Sequence, residues 1–262
     1  MAGGRARTLP FTNLRLLRKN GAVSVFAAVG RDGRPAVVKM LDEARARDDA
    51  IGERRFRREV LIASTLYHPS LARCLGHGDG WIAFEWLEDS LVERVKAARY
   101  KSDPELVRPL LRDIAAVLGY IHARGVVHGD LKPAHVMFRA EQIVLIDFGI
   151  AALVSDDPLS GVELTGSPAW MAPEQVAGGA AGPPSDIWSL CAIGAWLMTG
   201  APEIEGTAEE MLAARARADV QFDLSTIRRK DPELADLLAS GLGQAKYRPD
   251  AAAIVRRLAL TQ

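Results

Sequence analysis

The sequence is short of the features that mark secreted and membrane proteins. It has two cysteines in 262 residues, Cys74 and Cys191, and neither belongs to a cluster with metal-ligand spacing. So few thiols are typical of a protein from a reducing compartment. The longest apolar runs, such as Ile143–Ile146 and Ala192–Met198, are far shorter than the about 20 residues that span a bilayer. Because Met1–Thr8 lead into no hydrophobic region, no secretory signal is expected, and the sequence predicts a cytoplasmic protein.

An excess of charge of one sign is also missing. Lysine plus arginine total 33, and aspartate plus glutamate total 33. This balance gives no electrostatic reason to expect nucleic acid or an anionic membrane as a partner. Hydrophobic residues make up 48% of the chain, so a packed core is expected, in one large domain or in two lobes.

Roughly the first third of the chain is predicted to be rich in strands. Asn20-Gly21 is a hairpin signal between two short apolar runs. The period changes in Gly52–Tyr67, where apolar residues share one helical face. The predicted strands are Leu14–Arg18, Val23–Val29, Pro35–Leu41, Leu71–Leu75 and Trp81–Trp86.

The remainder is predicted to be mostly helical. Ser102, with Pro104 and Glu105 after it, has the pattern of a helix start with a capping residue, and Gly125 ends that helix. Further helices are predicted at Ser185–Thr199, Asp231–Gly241 and Pro249–Leu258. Strands with one helix, followed by a helical half, predict an α+β fold with a cleft between two lobes.

Two short polar segments suit phosphoryl transfer. His128–His135 contains Asp130 and Lys132, and Asp147 opens an Asp-Phe-Gly turn after an apolar run. One carboxylate can accept a proton from a hydroxyl, the other can hold a cation against phosphates, and the lysine can offset charge on the moving group.

These segments resemble the catalytic loop and the metal-binding turn of eukaryotic-type (Hanks-type) serine/threonine protein kinases of the bacterial kind. The resemblance extends from about Leu14 to Leu258. It implies a bilobal kinase fold, with a small N-lobe of β-sheet plus one helix at residues 12–87 and a larger, mostly helical C-lobe at 88–262. It also implies ATP and Mg²⁺ as cofactors and a protein as substrate or regulatory partner.

The resemblance assigns roles to five residues of the reaction. Asp130 resembles the catalytic base, and Lys132 the lysine that meets the γ-phosphate. Lys39 resembles the lysine that contacts the α- and β-phosphates, and Glu59 its partner on the following helix. Asp147 resembles the Mg²⁺ ligand.

The resemblance also assigns a nucleotide pocket and a scaffold. Phe84 matches the residue that guards the back of the pocket. The residues implied to bind the nucleotide are Lys39, Val25, Val37, Phe84, Glu85, Leu87 and Met137. Glu174 is expected to pair with Arg248, Asp186 to brace the catalytic loop, and Ser167 to lie in the substrate-facing segment.

Three departures from the family pattern stand out. Arg18, Asn20 and Val23 occupy the glycine positions of the phosphate-binding loop, and their side chains should loosen phosphate contact or give the loop another shape. His135 replaces the asparagine that holds a second Mg²⁺, which predicts either a lost metal site or a preference for Mn²⁺. Gly129 replaces the arginine that reads a phosphate on the activation loop, so control by phosphorylation there, at Ser155, Ser160 or Thr165, is not expected.

Three functions remain open from the sequence. The retained ionisable residues favour an active serine/threonine kinase. The substitutions around the nucleotide, including the bulky Val37, fit a pseudokinase that acts as an interaction or regulatory module. A small-molecule kinase is disfavoured because Ser167–Glu174 resembles a protein-substrate loop. The sequence does not indicate an oligomeric state.

Overall fold

A computed structural model of the chain describes residues 9–100, 102–149, 151–153, 167–200, 207–216 and 222–259. These residues form two compact units. The first holds the described residues up to Tyr67 together with Ala72–Leu87, and the second holds His68–Leu71 together with the described residues from Glu88 onward.

The first unit is a five-stranded antiparallel sheet with two helices, in the strand order β1-β2-β3-β5-β4. Its elements are β1 (Phe11–Asn20), β2 (Val23–Gly30), β3 (Pro35–Leu41), α1 (Glu43–Ala46), α2 (Ala50–Thr65), β4 (Cys74–Gly78) and β5 (Trp81–Glu85). One apolar cluster joins the helices to the sheet and consists of Ala22, Leu41, Ala46, Phe56 and Ile82. A second cluster contains Ala28, Val38 and Ala83.

The second unit is mostly helical. Its strands are β6 (Asp89–Ser90), β7 (Val126–Val127), β8 (Val136–Arg139), β9 (Gln142–Leu145) and β10 (Ala152–Leu153). Its helices are α3 (Leu91–Lys96), α4 (Pro104–His122), α5 (Pro173–Val176), α6 (Pro183–Thr199), α7 (Ala208–Ala216), α8 (Ser225–Lys230), α9 (Pro232–Gly241) and α10 (Ala251–Ala259). The α+β class implied by the resemblance is confirmed.

Helix α6 forms the centre of the second unit. It is apolar on nearly all sides, as expected for a helix surrounded by protein, and it packs against α4 and α9. A Cβ atom at Gly194 would lie 2.8 Å from the side chain of Leu238 and 2.9 Å from that of Leu111. Glycine therefore allows these three helices to approach closely. None of the described helices combines the length and apolarity needed to cross a bilayer.

Two local predictions are wrong. The cap of α4 is Asp103, whose carboxylate accepts the Glu105 N–H at 3.0 Å, whereas Ser102 has a left-handed backbone with φ +49°. The strand predicted to begin at Leu71 begins at Cys74, and Leu71 forms an isolated bridge with Leu145. The glycines of β4, Gly76 and Gly78, leave room for the ring of Trp81.

Candidate active site

Lys39 and Glu59 form an ion pair inside the first unit. Lys39 lies on β3 and Glu59 on α2, with 2.5 Å between Nζ and Oε1 and side chains only 13% and 4% exposed. Helix α2 buries Phe56 and Ile62 on either side of Glu59, which fixes the face that carries the carboxylate. A carboxylate buried this deeply is costly to leave without a countercharge. The structure therefore brings together the two residues that the resemblance paired.

Four residues assigned to the nucleotide share one face of the sheet. Val25 lies opposite Lys39 in the β2–β3 pairing, and Val37 lies opposite Phe84 in the β3–β5 pairing. Val37 and Lys39 are two residues apart on β3, so their side chains leave the sheet on the same side. The Lys39 ammonium lies 5.9 Å from the centre of the Phe84 ring. This face thus offers apolar surface beside one cation.

The remaining nucleotide assignments stay predictions. Glu85 ends β5, and its carboxylate accepts the Arg73 N–H at 2.8 Å. Leu87 follows β5 and is half-buried. Met137 is half-buried on β8 of the second unit, opposite Ser90 of β6.

A tight hairpin stands where the family has its glycine-rich loop. Strands β1 and β2 remain paired as far as Asn20 and Val23, so that Gly21-Ala22 is a two-residue turn. Gly21 has φ +54°, which glycine adopts without steric cost. Arg18, Asn20 and Val23 are thus strand residues, and they leave only two residues between the strands.

Asp130, Lys132 and Ser167 meet in the second unit. The Lys132 ammonium donates to the Asp130 carboxylate at 2.8 Å and to the Ser167 hydroxyl at 2.8 Å. The other Asp130 oxygen accepts the Ser167 N–H at 3.0 Å. The residues predicted as base, phosphate-contacting lysine and substrate-facing serine therefore form one hydrogen-bonded group. A serine hydroxyl already lies within reach of the lysine.

His135 connects the base to the predicted metal ligand. Its Nδ1 lies 2.9 Å from the Asp130 carbonyl oxygen and its Nε2 lies 3.5 Å from Asp147 Oδ2. A carbonyl oxygen can only accept, so Nδ1 carries the proton and the neutral ring directs its Nε2 lone pair to Asp147. Burial lowers the pKa of His135 from 6.5 to about 4, although the Asp147 charge acts in the opposite direction. The ring is therefore neutral near pH 7.

Asp147 has an uncommon backbone conformation. It is a non-glycine residue with φ +68°, and its carboxylate accepts the Gly149 N–H at 3.3 Å. A positive φ costs a non-glycine residue free energy, for which the surrounding structure must compensate. Residues held in this conformation are frequent at functional sites. A carboxylate oxygen that faces a nitrogen lone pair, with no proton between them, is a donor set suited to a cation. Within the described part of the chain no group of three or more His, Cys, Asp or Glu side chains could hold a metal.

The catalytic loop backbone is held from both sides at Gly129. The Asp186 carboxylate accepts the N–H groups of His128 and Gly129 at 2.8 and 2.9 Å, which is the bracing predicted for it. Gln175 donates to the Gly129 carbonyl at 2.9 Å. Gly129 has φ +77°, a value at which side-chain-bearing residues are strained. His122 lies 2.8 Å from Asp186 and completes this support.

Glu174 and Arg248 form the predicted structural ion pair. Two guanidinium nitrogens lie 2.5 and 2.9 Å from the carboxylate oxygens, and Ser185 donates to the same carboxylate at 2.9 Å. Burial acts to raise the pKa of Glu174, but these hydrogen bonds outweigh it and hold the pKa below its ordinary value. The pair joins the start of α5 to the segment before α10.

Some contacts of this site were not predicted from the sequence. Gln175 and His122 have ordinary positions within helices, and no local pattern marks their partners 46 and 64 residues away. The candidate phosphorylation sites Ser155, Ser160 and Thr165 lie outside the described residues.

Comparison with known proteins agrees with this geometry. The family model of the protein kinase domain matches residues 19–257. The serine/threonine-protein kinase PknD of Mycobacterium tuberculosis is 28% identical over 243 residues, which covers 90% of this chain and 37% of the relative. A probable serine/threonine-protein kinase of Streptomyces coelicolor is 31% identical over 220 residues, covering 78% and 31%. The kinase pkn2 of Myxococcus xanthus is 31% identical over 187 residues, covering 66% and 22%.

The chain thus spans between 22% and 37% of the length of these relatives. The family match, by contrast, covers nearly all of this chain and includes Lys39, Asp130 and Asp147. On this match the chain belongs to the protein kinase domain family.

Proposed function

We propose that this chain is an active serine/threonine protein kinase domain, which transfers the γ-phosphoryl group of ATP to protein hydroxyls. The observation that carries the proposal is the group formed by Asp130, Lys132 and Ser167. In this group the Lys132 ammonium contacts the Ser167 hydroxyl and the Asp130 carboxylate contacts the backbone N–H of the same serine, so that base and lysine converge where a hydroxyl substrate would be placed. A cytoplasmic location and the identity of the protein substrate stay predictions.

The residues assigned to the nucleotide lie mainly in the first unit. In the first unit, Lys39 binds the α- and β-phosphates, and Glu59 holds its ammonium in place. The apolar side chains of Val25, Val37 and Phe84 on the same sheet face pack against adenine. Backbone groups near Glu85 and Leu87 hydrogen-bond the base, and the resemblance also assigns Met137 to the nucleotide.

In the second unit, Asp130 orients the substrate hydroxyl and accepts its proton. Lys132, 2.8 Å from that carboxylate, offsets the charge that develops on the transferred group. Because the lysine also reaches a serine hydroxyl, Ser167 marks the position where the substrate residue approaches. The resemblance associates a lysine at this position with serine and threonine substrates.

A divalent cation bound by His135 and Asp147 would neutralise phosphate charge during transfer. The residues present fit such an ion, because Nε2 and Oδ2 face each other at 3.5 Å. Two protein ligands suffice when phosphate oxygens and water complete the coordination. Imidazole is a softer donor than Mg²⁺ prefers, so Mn²⁺ is the better match.

Replacing His135 by asparagine should move the metal preference toward Mg²⁺. Asparagine offers an amide oxygen in place of the nitrogen, and the ratio of the transfer rate with Mn²⁺ to that with Mg²⁺ should fall about tenfold or more. Pulsed electron paramagnetic resonance of the Mn²⁺–nucleotide complex should show nitrogen coupling in the wild type, and H135N should lack it.

The matched control is His77→Asn, the same substitution at an exposed residue of β4. It should leave both the nitrogen coupling and the metal ratio unchanged. A wild-type complex without nitrogen coupling would show that His135 is not a metal ligand.

The direct test of the function is transfer of labelled phosphate from ATP to a generic basic protein, with Mg²⁺ and Mn²⁺ in parallel. The labelled product should contain phosphoserine or phosphothreonine and no phosphotyrosine. A folded chain that transfers no phosphate with either metal would contradict the proposal and favour a pseudokinase.

A further inference from the structure

The turn between β1 and β2 has no backbone group left for a ligand at Ala22. The Ala22 N–H donates to Asp49 Oδ2 at 3.1 Å, and its carbonyl oxygen accepts the Asp42 N–H at 2.8 Å. Its side chain is 1% exposed in the apolar cluster that also contains Phe56 of α2. An amide that already donates its one hydrogen to a carboxylate cannot also bind a phosphate oxygen.

Asp49 joins this turn to the first residues of α2. While Oδ2 accepts from Ala22, Oδ1 accepts the Gly52 N–H at 2.8 Å and caps the helix. The turn fits closely around the carboxylate, because a Cβ atom at Gly21 would lie 2.5 Å from Oδ2. One side chain therefore ties a hairpin turn to a helix that follows 27 residues later.

Helix α2 packs against its own unit through a small number of apolar side chains, among them the partly buried Val60 and Ala63. Of its 16 residues only Phe56, Glu59 and Ile62 are buried, and one of these is the carboxylate that pairs with Lys39. Because most of the helical stability comes from such packing and only two of these apolar residues are fully buried, contacts at the helix ends also matter. The position of Glu59 is thus coupled to the Asp49 contact at the start of the helix.

We propose that Asp49 is a positioning residue that clamps the β1–β2 turn to α2 and so keeps the Lys39–Glu59 ion pair formed without an effector. This inference rests on the proposed kinase function, in which that pair must be in place for transfer. The resemblance assigns this loop to phosphate binding, whereas here the Gly21-Ala22 turn holds helix α2. When the clamp is lost, the pair is formed in only a fraction of the molecules, and kcat falls with that fraction.

The experiment compares Asp49→Asn with Asp42→Asn. In D49N one amide oxygen can still cap Gly52, but an NH₂ group faces the Ala22 N–H and the clamp is broken. Asp42 is likewise a helix cap of the first unit: its side chain accepts the N–H groups of Ala44 and Arg45 and lies 3.4 Å from the Arg45 guanidinium. D42N therefore changes the same chemical group and leaves the clamp intact.

Hydrogen exchange measured by mass spectrometry should separate the two variants. In D49N the peptides covering the turn and the first half of α2 should exchange about tenfold faster or more, because a charge-assisted hydrogen bond is lost. The kcat should fall about threefold or more and the KM for ATP should rise by a similar factor, because fewer molecules hold Lys39 where it contacts the phosphates. D42N should match the wild type in all three.

A second pair of variants tests the clamp by substitution of a glycine in the turn. Gly21→Ala places a methyl group against Asp49, whereas Gly33→Ala carries similar backbone strain at φ +78° with nothing within 4 Å. G21A should reproduce the exchange pattern of D49N, and G33A should not.

Exchange in α2 at the wild-type rate in D49N and G21A would overturn the inference, as would equal effects of D49N and D42N. The exchange measurement needs no catalysis. A wild-type chain without phosphate transfer would therefore disprove the proposed function, while α2 exchange would still decide whether Asp49 clamps the helix.

Discussion

Replacing Asp130 by asparagine is expected to lower the rate of phosphoryl transfer by about 10²–10⁴-fold, the range typical of a lost general base. The substitution conserves shape, and an amide oxygen can still accept the Ser167 N–H that Asp130 accepts at 3.0 Å. What disappears is the negative charge that receives the hydroxyl proton and holds Lys132 at 2.8 Å. We therefore expect a loss of kcat with little change in the KM for ATP.

The comparison for D130N is Asp236→Asn, which changes a carboxylate that is 58% exposed and pairs with Arg228 on the surface. Both proteins should unfold at the wild-type temperature within a few degrees, and only D130N should lose transfer. If D130N retained more than about a tenth of the wild-type rate, a general base at Asp130 would be excluded.

Replacing Arg108 by alanine is expected to lower the free energy of unfolding by about 3–5 kcal/mol, as when one partner of a buried ion pair is removed. Arg108 on α4 donates to both oxygens of Asp231 at 2.6 and 2.7 Å, and both side chains are 10% exposed. Asp231 also caps α9 by accepting the Leu234 N–H at 2.9 Å. The variant would leave a carboxylate without its countercharge between two core helices.

Denaturant unfolding of R108A beside Arg112→Ala measures this effect. Arg112 is on the same helix, but its side chain is 39% exposed and its partner is the neighbouring Asp113, so we expect a change below about 1 kcal/mol. Equal losses in the two variants would contradict the prediction.

The same pair predicts a dependence on pH. The hydrogen bond from Arg108 lowers the pKa of Asp231 below its ordinary value of 3.8. A lowered folded-state pKa means that the stabilisation is complete above the unfolded value and is lost as the pH falls through the folded value. The stability difference between wild type and R108A should therefore be constant near neutral pH and shrink below about pH 4.

Much of the fold could be predicted because its signals are local. Asn20-Gly21 marks the first hairpin, and Asp231 with Pro232 marks the start of α9; both lie where the structure has them. Helix α3 was missed because six residues are too few to show a helical period, even though Ser90 and Glu93 form a capping box. Strand β4 was predicted too early, from Leu71, whereas it begins at Cys74, and its Gly76 and Gly78 leave room for the Trp81 ring, a contact that no local pattern marks.

The candidate site also contains residues with local signals and residues without them. Asp130, Lys132 and Asp147 stand in short motifs, and Lys39 follows Ala36–Val38 in an apolar strand, so each could be named from the sequence. The choice of Glu59 among the acidic residues of α2 rested on the resemblance, and its burial beside Lys39 shows why it has that position. Asp49 looks like an ordinary helix cap, and only the folded chain reveals its second hydrogen bond, to Ala22.

Gly129 also limits how this domain could change during evolution. Its N–H and carbonyl groups are both engaged, by Asp186 and Gln175, so its left-handed backbone cannot relax when a side chain is added. An arginine placed there by a single mutation would bear a backbone strain of about 1–2 kcal/mol before it met any phosphate. Gaining control by phosphorylation of the activation loop through Gly129→Arg would therefore cost the domain stability before any phosphate is bound.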